Sequence, residues 1–295
     1  MYDYGNARVA ALRSRLLDAA TLRRLEEAES PAALLVLLER FDDWRPILHE
    51  LGPLTIDPRT ATELAVERHR SARLGGLPPT YGPPALPLVE ALVLPLDRER
   101  VLEILRRRHA DEPPETVAAT VGGGALLDAR RLAAIARAPG APAAVRLAGR
   151  FGLMGRTAAE ALARGFERDA EWPRLEAGLV AASEAAREAR AAGPGADAGL
   201  VRAVLAAERD ERAEVAAELE YGGAAAAAEL ERTRSLARLD RLDATARRDP
   251  LGIGAVAGYV AAVEAQAIRL RAILAHVVAG WSRERTGAWL ALGRG

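Results

Sequence analysis

The residue types that most often carry enzyme chemistry are sparse in this 295-residue chain, and they do not converge. The four histidines have neither HxxxH nor HExxH spacing, which would place two metal ligands on one helix face; they are His49, His69, His109 and His276. The neighbouring carboxylates Asp42 and Asp43 point apart if they lie at a helix end, whereas a general acid–base pair needs two groups aimed at one spot. We therefore predict no metal site, no cofactor and no catalytic residue, with the histidines in surface or capping roles and both aspartates facing solvent or ending a helix.

Two missing residue types exclude further chemistry. The chain has no cysteine, which excludes disulfides, thiolate zinc sites and thiol nucleophiles and fits a reducing compartment. It also has no lysine, so neither a Walker A phosphate loop nor a Schiff-base enzyme is possible. The segment GGGALLD, Gly122 to Asp128, is accordingly predicted to be a turn between helices.

Charge and composition make nucleic acid a poor partner. Basic and acidic residues balance at 41 each, every basic residue is arginine, and no long basic run is present. Hydrophobic residues make up 50% of the chain but aromatic residues only 4%, which predicts many closely packed helices rather than a few bulky anchors. The start of the chain lacks the apolar core of a secretory signal, and no uncharged stretch reaches the roughly 18 to 20 apolar residues of a bilayer span. We expect any membrane contact to be made through partners.

Apolar residues recur at helical spacing nearly throughout, which predicts an all-α fold. Asn6 is a candidate N-cap for the first helix, and Ser30 with Pro31 predicts the start of another. The proline- and glycine-rich segment Leu74 to Pro87 is predicted to be a surface linker, and a second break falls at Ala191 to Gly199. After it we predict two long charged helices, at about 200–221 and 224–247, with the alanines at 224–228 in close contact with a neighbour, and an apolar helix from Asp249 to about Gly280.

Two pairs of segments indicate internal duplication. Leu22 to Phe41 aligns without a gap on Leu132 to Phe151, at an offset of about 110 positions. Val101 to Thr116 aligns more weakly on Leu270 to Arg285, a match that helical periodicity alone could also produce. The chain is therefore predicted to contain repeated helical units.

The opening stretch YGNARVAALRSRLL, Tyr4 to Leu17, resembles the N-terminal signature of the C-type central-stalk component of the archaeal and vacuolar-type rotary ATPases, which corresponds to the d-type component of the eukaryotic vacuolar enzyme. The stretch that begins DPLGIGAVAGY at Asp249 resembles the C-terminal block of that family, including Tyr259, Glu264 and Arg271. Val263 and Arg269 depart from the family pattern. The residues from about Pro53 to Thr120 resemble the family only in their helical periodicity.

The resemblance implies three similar helical bundles arranged with pseudo-threefold symmetry in a funnel shape. The approximate division is 1–73 packed with 255–295, 74–120 packed with 197–254, and 121–196. The implied function is that of a non-catalytic central-stalk rotor subunit, a socket that links the central shaft to the membrane proteolipid ring and transmits torque for proton or sodium transport. The implied partners are shaft subunits of the D and F type and the proteolipid ring, and the implied location is peripheral, on the cytoplasmic face of the membrane.

Nine residues are candidates for partner binding or for structural roles. The resemblance contributes Tyr4, Asn6, Arg8, Tyr259, Glu264 and Arg271. The densest basic cluster contributes Arg106, Arg107 and Arg108, for which placement at a helix C-terminus is the alternative to a partner contact.

Two other functions stay open at the level of sequence. One is a generic α-helical scaffold or adaptor that is not tied to a membrane complex. The other is an all-α hydrolase or transferase with an unrecognised carboxylate cluster, although no residue pattern points to it.

Overall fold

The structure is a computed structural model that describes residues 2–54, 56–221, 223–280 and 284, apart from the side chains of 210–232 and 234. Over these residues it contains fourteen α-helices, one short 3-10 helix at Pro78–Thr80 and no strand, which confirms the all-α prediction. The predicted close packing of alanines 224–228 lies outside the described side chains, as does the end of the second repeat, at 281–283 and 285. The threefold funnel stays a prediction.

The chain divides into two compact units. The first unit is Met1–Arg73 with Gly195–Gly295, and the second unit is Leu74–Pro194. This division groups 74–120 with 121–194, whereas the predicted bundles paired 74–120 with 197–254. The boundaries of the three predicted bundles stay a prediction.

The first unit is built around one long apolar helix near the end of the chain. Its helices are α1 Asp3–Arg13, α2 Ala19–Leu25, α3 Pro31–Leu38, α4 Arg45–Leu51, α5 Pro58–Gly75, α12 Ala196–Tyr221, α13 Gly223–Arg248 and α14 Ile253–Ala279. The side chains of α2 to α5 pack on the C-terminal half of α14, where Trp44, Leu34 and Ile273 are fully buried. Helix α13 packs against both α12 and α14. The two long charged helices therefore form, close to the predicted bounds.

The second unit repeats this plan around another long helix. Its helices are α6 Leu86–His109, α7 Pro114–Thr120, α8 Ala129–Ala136, α9 Ala141–Arg150, α10 Arg156–Asp169 and α11 Trp172–Arg190. Leu94, Val101 and Ile104 of α6 are buried against apolar side chains of α8, α9 and α11. Each unit has an apolar core of its own.

The predicted repeat coincides with the helix boundaries. Helices α2 and α8 begin 110 positions apart, and α3 and α9 do as well. The caps also match: Asp18 accepts a hydrogen bond from the backbone N–H of Thr21 at 2.7 Å, and Asp128 accepts one from Arg131 at 2.8 Å. Ser30, which caps α3 by accepting from Ala33 at 3.1 Å, is replaced in the second unit by Gly140, which makes no side-chain bond.

The long helices fit the same correspondence. The backbone N–H of Leu17 donates to Gln266 Oε1 on α14 at 2.7 Å, and that of Leu127 donates to Asp97 Oδ1 on α6 at 2.8 Å. Leu17 and Leu127 both precede a capping aspartate, at the offset of the first repeat. Gln266 and Asp97 lie 169 positions apart, the offset at which Val101 aligns with Leu270. Both aligned pairs therefore belong to one duplicated arrangement of a long helix and two short helices.

Three local predictions are corrected by the structure. Helix α1 begins at Asp3, so Asn6 lies inside the helix and is not its N-cap. The segment 74–87 is not a surface linker, because Leu74, Leu77 and Tyr81 are buried. Helix α14 begins at Ile253 rather than at Asp249, because 249–252 forms a turn.

Helix α14 is also long and apolar enough to cross a membrane by length and composition alone, whereas no such helix was predicted from the sequence. Because 72% of its most apolar window is buried inside the protein, the helix has the burial of a core helix.

Candidate functional site

The two terminal blocks that carry the family resemblance contact each other in the first unit. The Asn6 side-chain amide donates hydrogen bonds to the carbonyl oxygens of Leu251 at 2.6 Å and Gly252 at 3.1 Å. Asn6 is the only asparagine of the chain, and its neutral amide can donate two hydrogen bonds to two carbonyls at once. Helix α1 is thereby fixed to the turn that precedes α14.

That turn is organised by the carboxylate of Asp249. Its Oδ1 accepts the backbone N–H of Gly252 and its Oδ2 accepts that of Gly254, both at 3.0 Å. A Cβ atom at Gly254 would lie 2.2 Å from the Asp249 carbonyl oxygen, so only glycine fits there without a shift of the backbone. The Asp-Pro-Leu-Gly pattern therefore encodes a turn that satisfies the first N–H groups of α14.

Glu264, a candidate residue, is paired with an arginine that no sequence pattern singled out. Arg70 on α5 contacts the carboxylate of Glu264 on α14 through Nη2 and Nε, each at 2.8 Å, and both side chains are at least nine-tenths buried. Arg271 on α14 pairs in turn with Glu67 on α5. A carboxylate held by two guanidinium nitrogens in the protein interior is a structural ion pair, and its arrangement ties α5 to α14.

A second polar cluster surrounds His69, which is buried inside α5 and so has neither the surface nor the capping role that was predicted. The imidazole stacks on the Trp44 indole with ring centroids 4.1 Å apart, and its Nε2 accepts a hydrogen bond from Arg73 Nε at 3.3 Å. Burial, assisted by the charge of Arg73, lowers the pKa of His69 to about 3. His69 is therefore neutral at physiological pH and packs as an aromatic side chain.

Arg73 connects this cluster to two more residues. It forms an ion pair with Asp43, and Asp42 pairs with Arg45 at the surface; both aspartates lie in the turn before α4, in line with the prediction that they face solvent or end a helix. The third candidate on α14, Tyr259, is fully buried near Arg73, and burial raises the pKa of its hydroxyl to about 12. The phenol is therefore protonated at every physiological pH.

The remaining candidates of the N-terminal block are exposed. The side chain of Tyr4 is 71% exposed, and Arg8 is also on the surface. Leu251, whose carbonyl binds Asn6, has an 83% exposed side chain. These side chains do not contribute to the core and are available to other molecules.

The basic cluster lies in the last turn of α6 in the second unit, which is one of the two placements predicted from the sequence. Arg106 binds Glu176 of α11, with the shorter contact at 2.7 Å. Arg107 binds Glu112 and the hydroxyl of Thr120. Arg108 donates to the backbone carbonyl of Glu112 at 2.9 Å. Each of the three arginines therefore binds a different group near the C-terminus of α6.

Sequence reasoning missed Asp97, the most enclosed carboxylate of the second unit. It is 1% exposed and accepts backbone N–H groups from Leu126 and Leu127 in the Gly122 to Asp128 turn, at 2.8–3.1 Å. A Cβ at Gly124 would lie 2.0 Å from its Oδ1, so the glycine-rich turn packs closely around this carboxylate. A signal was present, because Asp97 directly follows the apolar run from Ala91 to Leu96, and a carboxylate that is buried with such a run needs a partner.

Gln266 was missed for a different reason. It is the only glutamine of the chain, and it lies beside Glu264 in a block whose importance was recognised, yet its partner is a backbone N–H at the far end of the sequence. Single-sequence periodicity cannot reveal such a contact.

The chain was compared with models of protein families and with curated proteins. Neither the models of protein families nor the curated proteins compared with it produced a match.

Proposed function

We propose that this protein is a non-catalytic central-stalk subunit of a vacuolar/archaeal-type rotary ATPase or ATP synthase. It would link the shaft subunits of the D and F type to the proteolipid ring on the cytoplasmic face of the membrane. It would pass torque between them and would change no covalent bond itself.

The observation that carries the proposal is the joining of the two signature blocks. Asn6 donates to the carbonyl of Gly252, and the backbone N–H of Leu17 donates to Gln266, so both ends of the N-terminal block bind the C-terminal block. Asn6, Leu17 and Gly252, which belong to the resemblance, thus take part in joining the two blocks, and this gives a physical reason for both blocks to occur in one chain. Composition bias alone provides no such reason.

The duplicated arrangement of helices supports the proposal independently. A family of similar helical bundles requires an internal repeat, and the two units share cap positions, helix bounds and the anchoring of a leucine N–H by a long helix. The buried ion pair between Arg70 on α5 and Glu264 on α14 also suits a part that transmits force, because separating it would leave unpaired charges in a medium of low dielectric constant.

The proposal is tested by recovering a tagged chain from detergent-solubilised membranes of its source organism and identifying the proteins that accompany it. We expect shaft and proteolipid subunits, absent from a parallel preparation of the untagged strain. Recovery of the chain only from the soluble fraction, with neither partner, would instead favour the scaffold or adaptor alternative.

The enzyme alternative requires a separate assay. We expect the isolated chain to hydrolyse no nucleotide. Turnover that is lost on replacing one aspartate or glutamate would contradict the non-catalytic assignment.

A further inference from the structure

The second unit contains an apolar cavity of about 200 Å³ beside the C-terminus of α6. Its floor is formed by Leu105, Ile135 and Ala144, and its wall by the aromatic rings of Phe166 and Trp172. Phe166 meets Trp172 edge-on, with ring centroids 6.2 Å apart. The wall is therefore held in place by aromatic packing before any ligand arrives.

One side of the cavity is cationic and polar. Arg108 and His109 both line it. Among the described residues Arg108 forms no ion pair, and its guanidinium bonds only to a neutral carbonyl, whereas Arg106 and Arg107 are paired with carboxylates. The His109 ring stacks on Trp172 at 4.1 Å, and its nitrogens have no hydrogen bond within the described part of the chain. An uncompensated positive charge thus borders an apolar hollow.

The duplicated fold places different side chains at the equivalent positions of the first unit. By the offset of the first repeat, Ala144 corresponds to Leu34, which is fully buried in the core of the first unit. By the offset of the second repeat, Arg108 and His109 correspond to Val277 and Val278. The first unit therefore has a leucine where the second has the cavity floor, and aliphatic side chains where the second has its polar rim.

We propose that this cavity is a binding site for a small organic acid with an aromatic or branched apolar body and one carboxylate. The apolar body would replace the missing leucine against Phe166 and Trp172, and the carboxylate would pair with Arg108. A volume of about 200 Å³ accepts one ring or one branched side chain. Guanidinium is the cation that binds a planar carboxylate through two hydrogen bonds. The inference does not depend on the proposed function.

The test is an NMR titration of the full chain with phenylacetate, following the indole N–H resonance of Trp172, which is assigned from the Trp172→Phe variant. We expect saturable binding with a Kd on the order of 1 mM or tighter. Phenylacetamide, the neutral analogue, should bind about tenfold more weakly, because it forms no charge-assisted hydrogen bond with Arg108.

Two substitutions test separately how much the charge of Arg108 and the space in the cavity contribute to binding. Arg108→Gln should weaken phenylacetate binding about tenfold, whereas Arg106→Gln, the matched control at a paired arginine outside the lining, should leave the Kd within about twofold. Ala144→Leu should abolish binding, because it restores the side chain found at the equivalent position, and its thermal melt reports whether it folds. If Ala144→Leu does not fold, the titration of Arg108→Gln and the titration with phenylacetamide still decide the question, because both leave the core unchanged.

Three results would overturn the proposal: no saturable binding up to about 10 mM phenylacetate, equal affinity for the amide, or an unchanged Kd in Arg108→Gln. A tripeptide ending in phenylalanine presents the same ring and carboxylate on a chain. If the tripeptide binds more tightly than phenylacetate, the site recognises the C-terminus of a polypeptide, and the proposal of a small organic acid is overturned.

Discussion

At the scale of single residues, polar side chains that bind backbone groups far along the chain define this protein. Asn6 and Gln266 are the only carboxamide side chains in the sequence, and each joins the N-terminal block to the C-terminal block. An amide can satisfy a backbone group in a partly buried position without the desolvation cost of a charge. Their role is therefore structural, whereas the exposed Tyr4 and Leu251 are the residues suited to contact partners.

Asn6→Ala and Tyr4→Ala are predicted to act on different properties, the first on stability and the second on the recovery of partners. Asn6→Ala should lower the free energy of unfolding by about 1–2 kcal/mol, because two carbonyl oxygens lose their donor. Tyr4→Ala should leave the free energy of unfolding within about 0.5 kcal/mol, because its side chain is 71% exposed, but should reduce recovery of the shaft and proteolipid subunits. Urea unfolding and the copurification assay measure the two effects. An equal loss of stability in both variants would argue against this division of roles.

Asp97 predicts a specific dependence of stability on pH. Burial raises its pKa to about 6, although the backbone N–H groups of Leu127 and Leu126 and the charge of Arg190 act in the opposite direction. Because this folded-state value lies above the value of an unfolded aspartate, the folded state binds more protons between about pH 4 and pH 6. The contribution of Asp97 to stability is therefore complete below about pH 4 and is lost as the pH rises through 6.

The variant Asp97→Asn isolates that contribution. The difference in unfolding free energy between the wild type and Asp97→Asn should change by about 2–3 kcal/mol between pH 4 and pH 7, in the direction of a less stable wild type at higher pH. Groups that titrate in both proteins cancel in this difference. A difference that stays constant across the range would mean that Asp97 is ionised throughout, held so by its backbone donors.

At the scale of elements, the two capping aspartates are expected to contribute equally to the stability of two equivalent helices. Asp18 and Asp128 each accept one N–H from the first turn of a short helix, and each follows a leucine whose N–H is bound by a long helix. Short helices are unstable in isolation because nucleation is costly, so their first turn depends on such caps.

Asp18→Ala and Asp128→Ala are each predicted to lower the melting temperature of the unit that contains them by roughly 2–4 °C. Asp42→Ala, the control, removes a carboxylate whose side chain is 92% exposed and should change the melting temperature by less than about 1 °C. Differential scanning calorimetry of the full chain is the measurement. A loss confined to one of the two cap variants would show that the two repeats are not energetically equivalent.

At the scale of the whole molecule, the chain consists of two units with separate cores. The second unit is one continuous segment whose buried apolar residues, from Leu94 to Leu179, contact one another. The first unit requires both ends of the chain, because α14 supplies one side of its core.

We predict that residues 74–194 fold when expressed alone, whereas residues 1–73 do not. The first fragment should show helical circular dichroism and a cooperative thermal transition, because it keeps its complete core. The second lacks α14, so Leu25, Leu34 and Leu38 lose their packing partners and the fragment should lack cooperative unfolding. A non-cooperative 74–194 fragment would show that its core depends on the rest of the chain.

The sequence by itself determined the all-α class, most helix positions, the cap at Ser30 and the duplication at an offset of 110, because each of these depends on local spacing and capping chemistry. It also predicted a turn at Gly122 to Asp128, since a run of glycines interrupts a helix. Only the tertiary structure decided that this turn encloses Asp97, that Asn6 binds the turn before α14, and that His69 and the segment 74–87 are buried. These features join residues as much as 246 positions apart, and the free energy of such contacts depends on burial and three-dimensional proximity, which local periodicity does not contain.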